Sequence, residues 1–148
     1  MSSACPSLPA RVPEGWRLRY LYVGTDDLQR SLVSYLQGPQ AHKAWHFKRD
    51  GTEVAAVRPG QGPLVLLASH RPPGSCVPMF SVPHLDATGE QLKAHGWQPK
   101  SDPFGIPPGP CQLFQDPTGN EFGIFEEVRP HAMESAYADP TNRAAVRR

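Results

Sequence analysis

Between Phe114 and Glu126 the chain reads Phe-Gln-Asp-Pro-Thr-Gly-Asn-Glu-Phe-Gly-Ile-Phe-Glu, two apolar runs held apart by a short polar stretch. Asp116 is a favoured first residue of a type I turn, Pro117 presets φ at the second position, and Gly119 suits the fourth. The segment therefore predicts a strand, a tight turn and a returning strand. The rest of the sequence carries matching punctuation. Its 18 prolines and 13 glycines fall mostly in clusters between apolar runs. That pattern suits short strands joined by rigid loops and disfavours a long helical bundle.

Residues 18–24 (Leu-Arg-Tyr-Leu-Tyr-Val-Gly) are rich in strand formers and end in Gly, which predicts a strand. A helix follows. Asp26 is placed to cap it with Gln29 three residues on, Leu28, Leu32, Tyr35 and Leu36 share one face, and Gly38-Pro39 stops it. Residues 43–49 and 52–58 flank Asp50-Gly51, a type I′ hairpin signal, and 63–69 form a further apolar run. The first half thus reads β-α-β-β-β. After Pro72-Pro73-Gly74, the run from Val77 to Val82 opens a second unit, with Asp86 capping a helix through Leu92 that ends at Gly96. A short run at 97–100, a Pro/Gly loop from Ser101 to Pro110, and strands over 111–115 and 121–127 complete a second β-α-β-β-β. Leu21 and Phe80, Val23 and Val82, and Asp27 and Asp86 are each 59 residues apart, an internal repeat that constrains the architecture. The expected organisation is an N-terminal extension over 1–16, one domain over 17–127 with units about 17–70 and 76–127, and a polar tail over 128–148. That tail includes a short predicted helix from His131 to Ala138.

A chain of 148 residues with 39% hydrophobic content has the size and apolar content of one ordinary domain. Its 15 basic and 14 acidic groups leave a net charge of +1, with no block of like charge beyond Arg147-Arg148. Neither nucleic acid nor a membrane surface is an expected partner. The first residues lack a basic leader and a long apolar run, and no later segment is long and apolar enough to span a bilayer. Cys5, Cys76 and Cys111 are an odd number without CxxC spacing, so neither a disulfide framework nor a zinc knuckle is indicated. A reduced, cytoplasmic protein is the expectation.

The string Phe-x-Asp-Pro-x-Gly-Asn followed by an apolar strand and a Glu resembles the closing hairpin of the vicinal-oxygen-chelate superfamily. That superfamily includes glyoxalases, extradiol dioxygenases and bleomycin-resistance proteins. Strand-Asp-helix-Gly occurs twice, at Val23 to Asp27 and at Val82 to Asp86, and the resemblance covers roughly residues 17–127. It implies an α+β fold of two tandem βαβββ units whose curved half-barrel sheets enclose a cleft. Homodimers are common in the superfamily, so a homodimer is the implied assembly.

Superfamily enzymes hold a divalent metal in that cleft with His, Gln and Glu ligands, and their positions can be carried onto this chain. The first-strand ligand falls on Tyr20, its counterpart in the second unit on Val77, and the last-strand Glu on Gly123, while 63–69 contains no carboxylate. Zn²⁺, Ni²⁺, Mn²⁺ or Fe²⁺ needs three or four N/O groups that these positions do not supply, so neither a metal nor another cofactor is expected. His42 and His46 are four apart in a segment leading into a strand, without the neighbouring acid of an HExxH motif. They are read as partly exposed strand residues, and His70, His84, His95 and His131 as solvated. Cys111 reads as a buried structural thiol, because a nucleophilic role needs a nearby histidine.

Strand alternation suggests what the cleft does contain. Leu21 and Val23 should face a helix and leave Tyr20, Tyr22 and Gly24 on the concave side. By the same parity Met79, Ser81, Glu121, Gly123 and Phe125 face the cleft while Phe80 and Val82 lie under the second helix. Trp45 and Phe47 share a strand face, and Phe104 sits in a loop that could cover the opening. The expected ligand-binding set is Tyr20, Tyr22, Trp45, Met79, Ser81, Phe104, Glu121 and Phe125, with Glu121 suited to a cationic group. The leading expectation is a metal-independent binder of a small amphipathic or aromatic molecule, as in the bleomycin-resistance branch. The alternative is a lyase, isomerase or dioxygenase. It would use a metal held by Glu53, Glu126 or a histidine after a one-residue register slip, or Tyr20 and Glu121 as acid and base. A third reading is a protein-interaction module.

Overall fold

The computed structural model describes residues 15–139 and 141–146. Most of the expected N-terminal extension, Cys5 and Arg147-Arg148 lie outside the described residues. The first unit comprises β1 (Arg17–Gly24), α1 (Leu28–Tyr35), β2 (His42–Arg49), β3 (Thr52–Arg58) and β4 (Leu64–Ala68). The second comprises β5 (Cys76–Ser81), α2 (Leu85–Ala94), β6 (Gln98–Pro99), β7 (Phe104–Ile106), β8 (Gly109–Gln115) and β9 (Glu121–Phe125), and α3 (Ala132–Ala138) follows.

Among the described residues nine strands join one sheet in the order β2-β3-β4-β1-β5-β9-β8-β6, with β7 on the side of β8. The order is nearly palindromic about the β1–β5 seam. β1 runs parallel to β4 as β5 runs parallel to β9, and antiparallel neighbours flank each pair. The internal repeat therefore marks two half-sheets joined by antiparallel pairing of β1 with β5, the curled α+β arrangement expected. Strand β7 is an addition, formed inside the stretch read as a Pro/Gly loop.

The turn chemistry acts as its residues require. Asp50 and Gly51 take φ of 52° and 80°, both left-handed as a type I′ hairpin demands, and β2 and β3 pair up to Arg49 and Thr52. At the last turn Gly119 N–H donates to the Asp116 carbonyl at 3.0 Å. The Asp116 carboxylate also accepts from the backbone N–H of Thr118 and Asn120 and from the Asn120 side chain. These bonds, the Asn120 side-chain bond foremost, hold its pKa down at about 2.

Two helix caps differ from expectation. Asp27, not Asp26, caps α1, accepting from Arg30 N–H at 3.1 Å. The Thr25 hydroxyl accepts the Asp27 N–H, so Asp27 is held at the helix mouth and Asp26 is left exposed. Asp86 lies inside the first turn of α2 and His84 occupies the cap position without a side-chain cap bond. Glu126, beyond the end of β9, takes over that role: its Oε1 accepts from Leu85 N–H at 2.9 Å.

Three apolar clusters result. Leu28 and Leu32 of α1 pack on Ala55, Val57, Val65 and Leu67, and Leu85 and Leu92 of α2 pack on Phe114, Phe122 and Ile124 with Trp16 and Trp97. The third lies on the opposite face and gathers Tyr20, Trp45, Val54, Leu66, Val77, Met79, Cys111 and Phe125. This concave cluster encloses the cleft.

Candidate functional site

The cleft is a cavity of about 340 Å³, within the size range of small-molecule pockets. Strand alternation places Tyr20 and Tyr22 from β1 and Met79 from β5 on its wall, and Trp45 and Phe47 from β2 and Phe104 from β7 complete the rings of the sheet side. A shift of register between Lys43 and Trp45 marks a bulge next to Trp45, which parity alone could not have resolved. Trp45 and Phe47 lie stacked, centroids 6.2 Å apart.

Three residues expected at the cleft are elsewhere. Phe125 is fully buried, stacked beneath Tyr20 at 5.5 Å, so it supports a wall residue without lining the cavity. Ser81 ends β5, paired with Arg17 and Phe125 beyond the cavity wall. Glu121 opens β9 and turns to Arg71, with Nη2 to Oε1 at 3.3 Å. The acid therefore pairs with a cation that lines the cavity, and among the described residues no carboxylate lines the cleft.

The structure also recruits residues that sequence reasoning left out. His70 and Arg71 follow β4 and border the cavity. Nε2 of His70 stands 3.4 Å from the Tyr22 hydroxyl, with the rings edge to face. Burial lowers the His70 pKa and the Arg71 charge lowers it further, so the imidazole is neutral near pH 7. Burial raises the Tyr22 pKa against the opposing pull of Arg71. From α3, Met133 and Tyr137 close another wall. The Tyr137 ring stacks on Phe47 at 5.0 Å, planes 14° apart. Their i, i+4 spacing in the tail was the available signal.

A divalent metal of the kind that the resemblance implies does not fit these residues. Tyr20 and Val77 line the cavity as a phenol and an aliphatic group. At Gly123 a Cβ would lie 2.5 Å from the Met79 sulfur, so the space a last-strand carboxylate would enter is filled by thioether. Among the described residues no three His, Cys, Asp or Glu side chains converge as a ligand group. Glu126 is committed to α2, and Glu53 to His46, with Oε2 to Nε2 at 2.7 Å. His46, expected to be partly exposed, is buried, because its strand is covered by the C-terminal segment, whose Val146 N–H donates to the His46 carbonyl.

The acid–base pair expected from the sequence, Tyr20 and Glu121, is poorly placed for that chemistry, which leaves the neutral His70 imidazole as an acid–base group on the wall. Burial drives the Tyr20 pKa up to about 12, which keeps its hydroxyl protonated at neutral pH, and Glu121 does not reach the cavity. Cys111 borders the cavity but is buried, and burial raises its pKa to about 12. The thiolate that a nucleophile requires is thereby suppressed.

No protein-family model matches the chain, and no curated protein matches it in sequence. Among solved structures it is similar to the hypothetical protein BH1468 from Bacillus halodurans C-125, with TM-score 0.66 and 12% identity over 78% of this chain and 97% of that one. It is similar to a methylmalonyl-CoA epimerase, with TM-score 0.61 and 13% identity over 79% and 100%. A methylmalonyl-CoA epimerase from Mycobacterium tuberculosis superposes with TM-score 0.64 and 16% identity over 76% and 89%. At such identities the likeness carries the fold and not the chemistry. The palindromic sheet, the paired βαβββ units and these neighbours together identify the chain as having the vicinal-oxygen-chelate fold of the glyoxalase and bleomycin-resistance-like proteins.

Proposed function

We propose that the cleft binds a small, largely apolar, ring-bearing molecule without the help of a metal and without changing it chemically. The observation that carries this reading is the wall itself: Tyr20, Tyr22, Trp45, Phe47, Phe104 and Tyr137 surround one cavity, on the face where superfamily enzymes place a metal. Stacked or edge-on rings contribute roughly 0.5–1.5 kcal/mol per pair beyond buried area, so two or three such contacts add about 1–4.5 kcal/mol to what apolar burial in a preformed pocket supplies. A homodimer and a cytoplasmic setting belong to the same reading. Among the described residues no helix is long and apolar enough to cross a membrane.

The test is calorimetric titration with a panel of one- and two-ring compounds, run on protein treated with EDTA and again after adding Zn²⁺, Ni²⁺, Mn²⁺ or Fe²⁺. Binding of equal strength in all conditions supports the proposal. Binding that appears only with a metal, or conversion of a bound compound into product, overturns it in favour of a metal-dependent enzyme.

A further inference from the structure

We propose that Arg71 is the recognition group of this cleft and that the ligand is a flat monoanion, a carboxylate carried on a one- or two-ring apolar body. The inference rests on the reading that the cleft holds a small molecule, and it adds the charge and functional group of that molecule.

The first observation is the charge of the wall. Among the described residues Arg71 lines the cavity and no aspartate or glutamate does. His70 is neutral near pH 7, so the charge on the wall is that of the Arg71 guanidinium, countered from behind by Glu121, in an apolar, ring-lined surround. In such surroundings an opposite charge on the ligand is attracted more strongly than it would be in water.

The second observation is the state of the guanidinium. Arg71 meets Glu121 through Nη2 alone, at 3.3 Å, and its side chain keeps 26% of its surface exposed. Its Nε–H is buried and has no hydrogen-bond partner among the described residues. The Trp45 indole N–H, at the wall of the same cavity, is likewise buried without a partner. Native interiors rarely leave such donors unpaired. Both residues border the cavity, but neither orphan nitrogen has surface open to it, so the donors left for a ligand are the remaining guanidinium N–H groups of the partly exposed Arg71 side chain.

The third observation concerns shape. A guanidinium offers its donors as a planar fork that matches the two oxygens of a carboxylate. Glu121 stands behind Arg71 and holds it. It would also repel a doubly charged group, which favours a monoanion over a phosphate dianion.

Matched pairs test this directly: benzoate, phenylacetate and 2-naphthoate, each against its primary amide, with 2-naphthyl phosphate as the dianion arm. In the unaltered protein at least one acid should bind about tenfold or more tightly than its amide, the scale of a hydrogen bond to a charged group, and more tightly than the phosphate. Arg71→Gln should erase the preference, with an unchanged circular-dichroism spectrum and cooperative thermal unfolding showing that the variant is folded. Arg71→Lys should restore part of it. Equal binding of acid and amide overturns the carboxylate assignment and leaves the small-molecule reading standing. A preference that survives Arg71→Gln overturns the role of Arg71, and tighter binding of the phosphate overturns the monoanion. If no member of any pair binds, the small-molecule reading fails and this inference with it.

Discussion

The Glu126 carboxylate accepts a hydrogen bond from the Leu85 backbone N–H at 2.9 Å, so the first turn of α2 is capped by a residue 41 positions away. The residue at the local cap position, His84, makes no side-chain bond to the helix. A negative charge there also complements the helix dipole. Glu126→Ala should therefore lower stability by about 1 kcal/mol, the usual loss of an N-cap acceptor. Glu126→Gln, which keeps an acceptor oxygen, should lose only about 0.3 kcal/mol. Urea unfolding checks both, and an Ala variant as stable as the parent would remove Glu126 from this role.

Met79 and Gly123 share one space. A Cβ at 123 would meet the Met79 sulfur at 2.5 Å and Leu113 Cδ2 at 3.1 Å. Gly123→Ala should cost roughly 1–3 kcal/mol through overpacking. Gly123→Glu, which places an acid where the resemblance implies one, should destabilise further and still bind no stoichiometric Zn²⁺, because Tyr20 and Val77 supply no partner ligands. Thermal unfolding and elemental analysis after desalting test this pair. Stoichiometric Zn²⁺ in Gly123→Glu would mean that other side chains of the cleft complete a ligand set, and would overturn this reading of the wall.

His46 has a worked pH signature. Its Nδ1 stands 3.0 Å from the Lys43 ammonium and its Nε2 2.7 Å from Glu53. The ammonium can only donate, so Nδ1 accepts and the proton sits on Nε2, facing the carboxylate. Burial pulls the His46 pKa below its ordinary value of 6.5, outweighing the hydrogen bond to Glu53 that raises it. A folded pKa below the unfolded one gives stability that is present above the unfolded value and is lost as pH falls through the folded one. The stability of the parent over His46→Gln should therefore shrink between pH 7.5 and 5. A difference that stays flat, or grows in acid, would contradict the assignment.

Thiol reactivity should separate the two described cysteines. Cys76 is exposed and Cys111 is buried, with a pKa pushed up to about 12 by burial. In the native protein near pH 8, iodoacetamide should label Cys76 within minutes and spare Cys111 until denaturant is added. Peptide mapping reads this. Equal labelling of both would show that the concave cluster opens on the timescale of the reaction.

How much of this could be read in advance follows from which physics acts locally. Turns and strand faces did show in the sequence: Asp50-Gly51 and Asp116-Pro-Thr-Gly119 dictate their own φ angles, and period-2 alternation put Tyr20, Tyr22 and Met79 on the concave wall. Contacts between distant segments did not. Nothing near Leu85 announces that Glu126 will cap it, and alternation along β9 cannot foresee that Glu121 turns to Arg71. Arg71 itself sits in a loop, where no periodicity predicts the direction of a side chain. Burial of His46 was hidden for a related reason, since it depends on a C-terminal segment docking on the edge of β2.

That docking makes the last prediction. Lys48 N–H donates to the Ala144 carbonyl and Val146 N–H to the His46 carbonyl, both at 2.8 Å, so the segment after α3 covers the outer edge of β2, an exposed position that folds usually protect. Tyr137 anchors the arrangement, 5.0 Å from Phe47 and 5.6 Å from Trp45. Replacing it by Ala removes two ring contacts worth roughly 0.5–1.5 kcal/mol each, and no other ring of α3 can substitute. Tyr137→Ala should accelerate amide exchange at Lys48 and Val146 by about tenfold or more while leaving the β1–β5 seam protected. Ring-bearing ligands should also bind about tenfold more weakly, since the same ring walls the cavity. Tyr137→Phe should change neither quantity. If the two amides exchange at parental rates in the Ala variant, the segment is held by its backbone pairing alone, and Tyr137 matters to the cavity and not to the closure of the sheet edge.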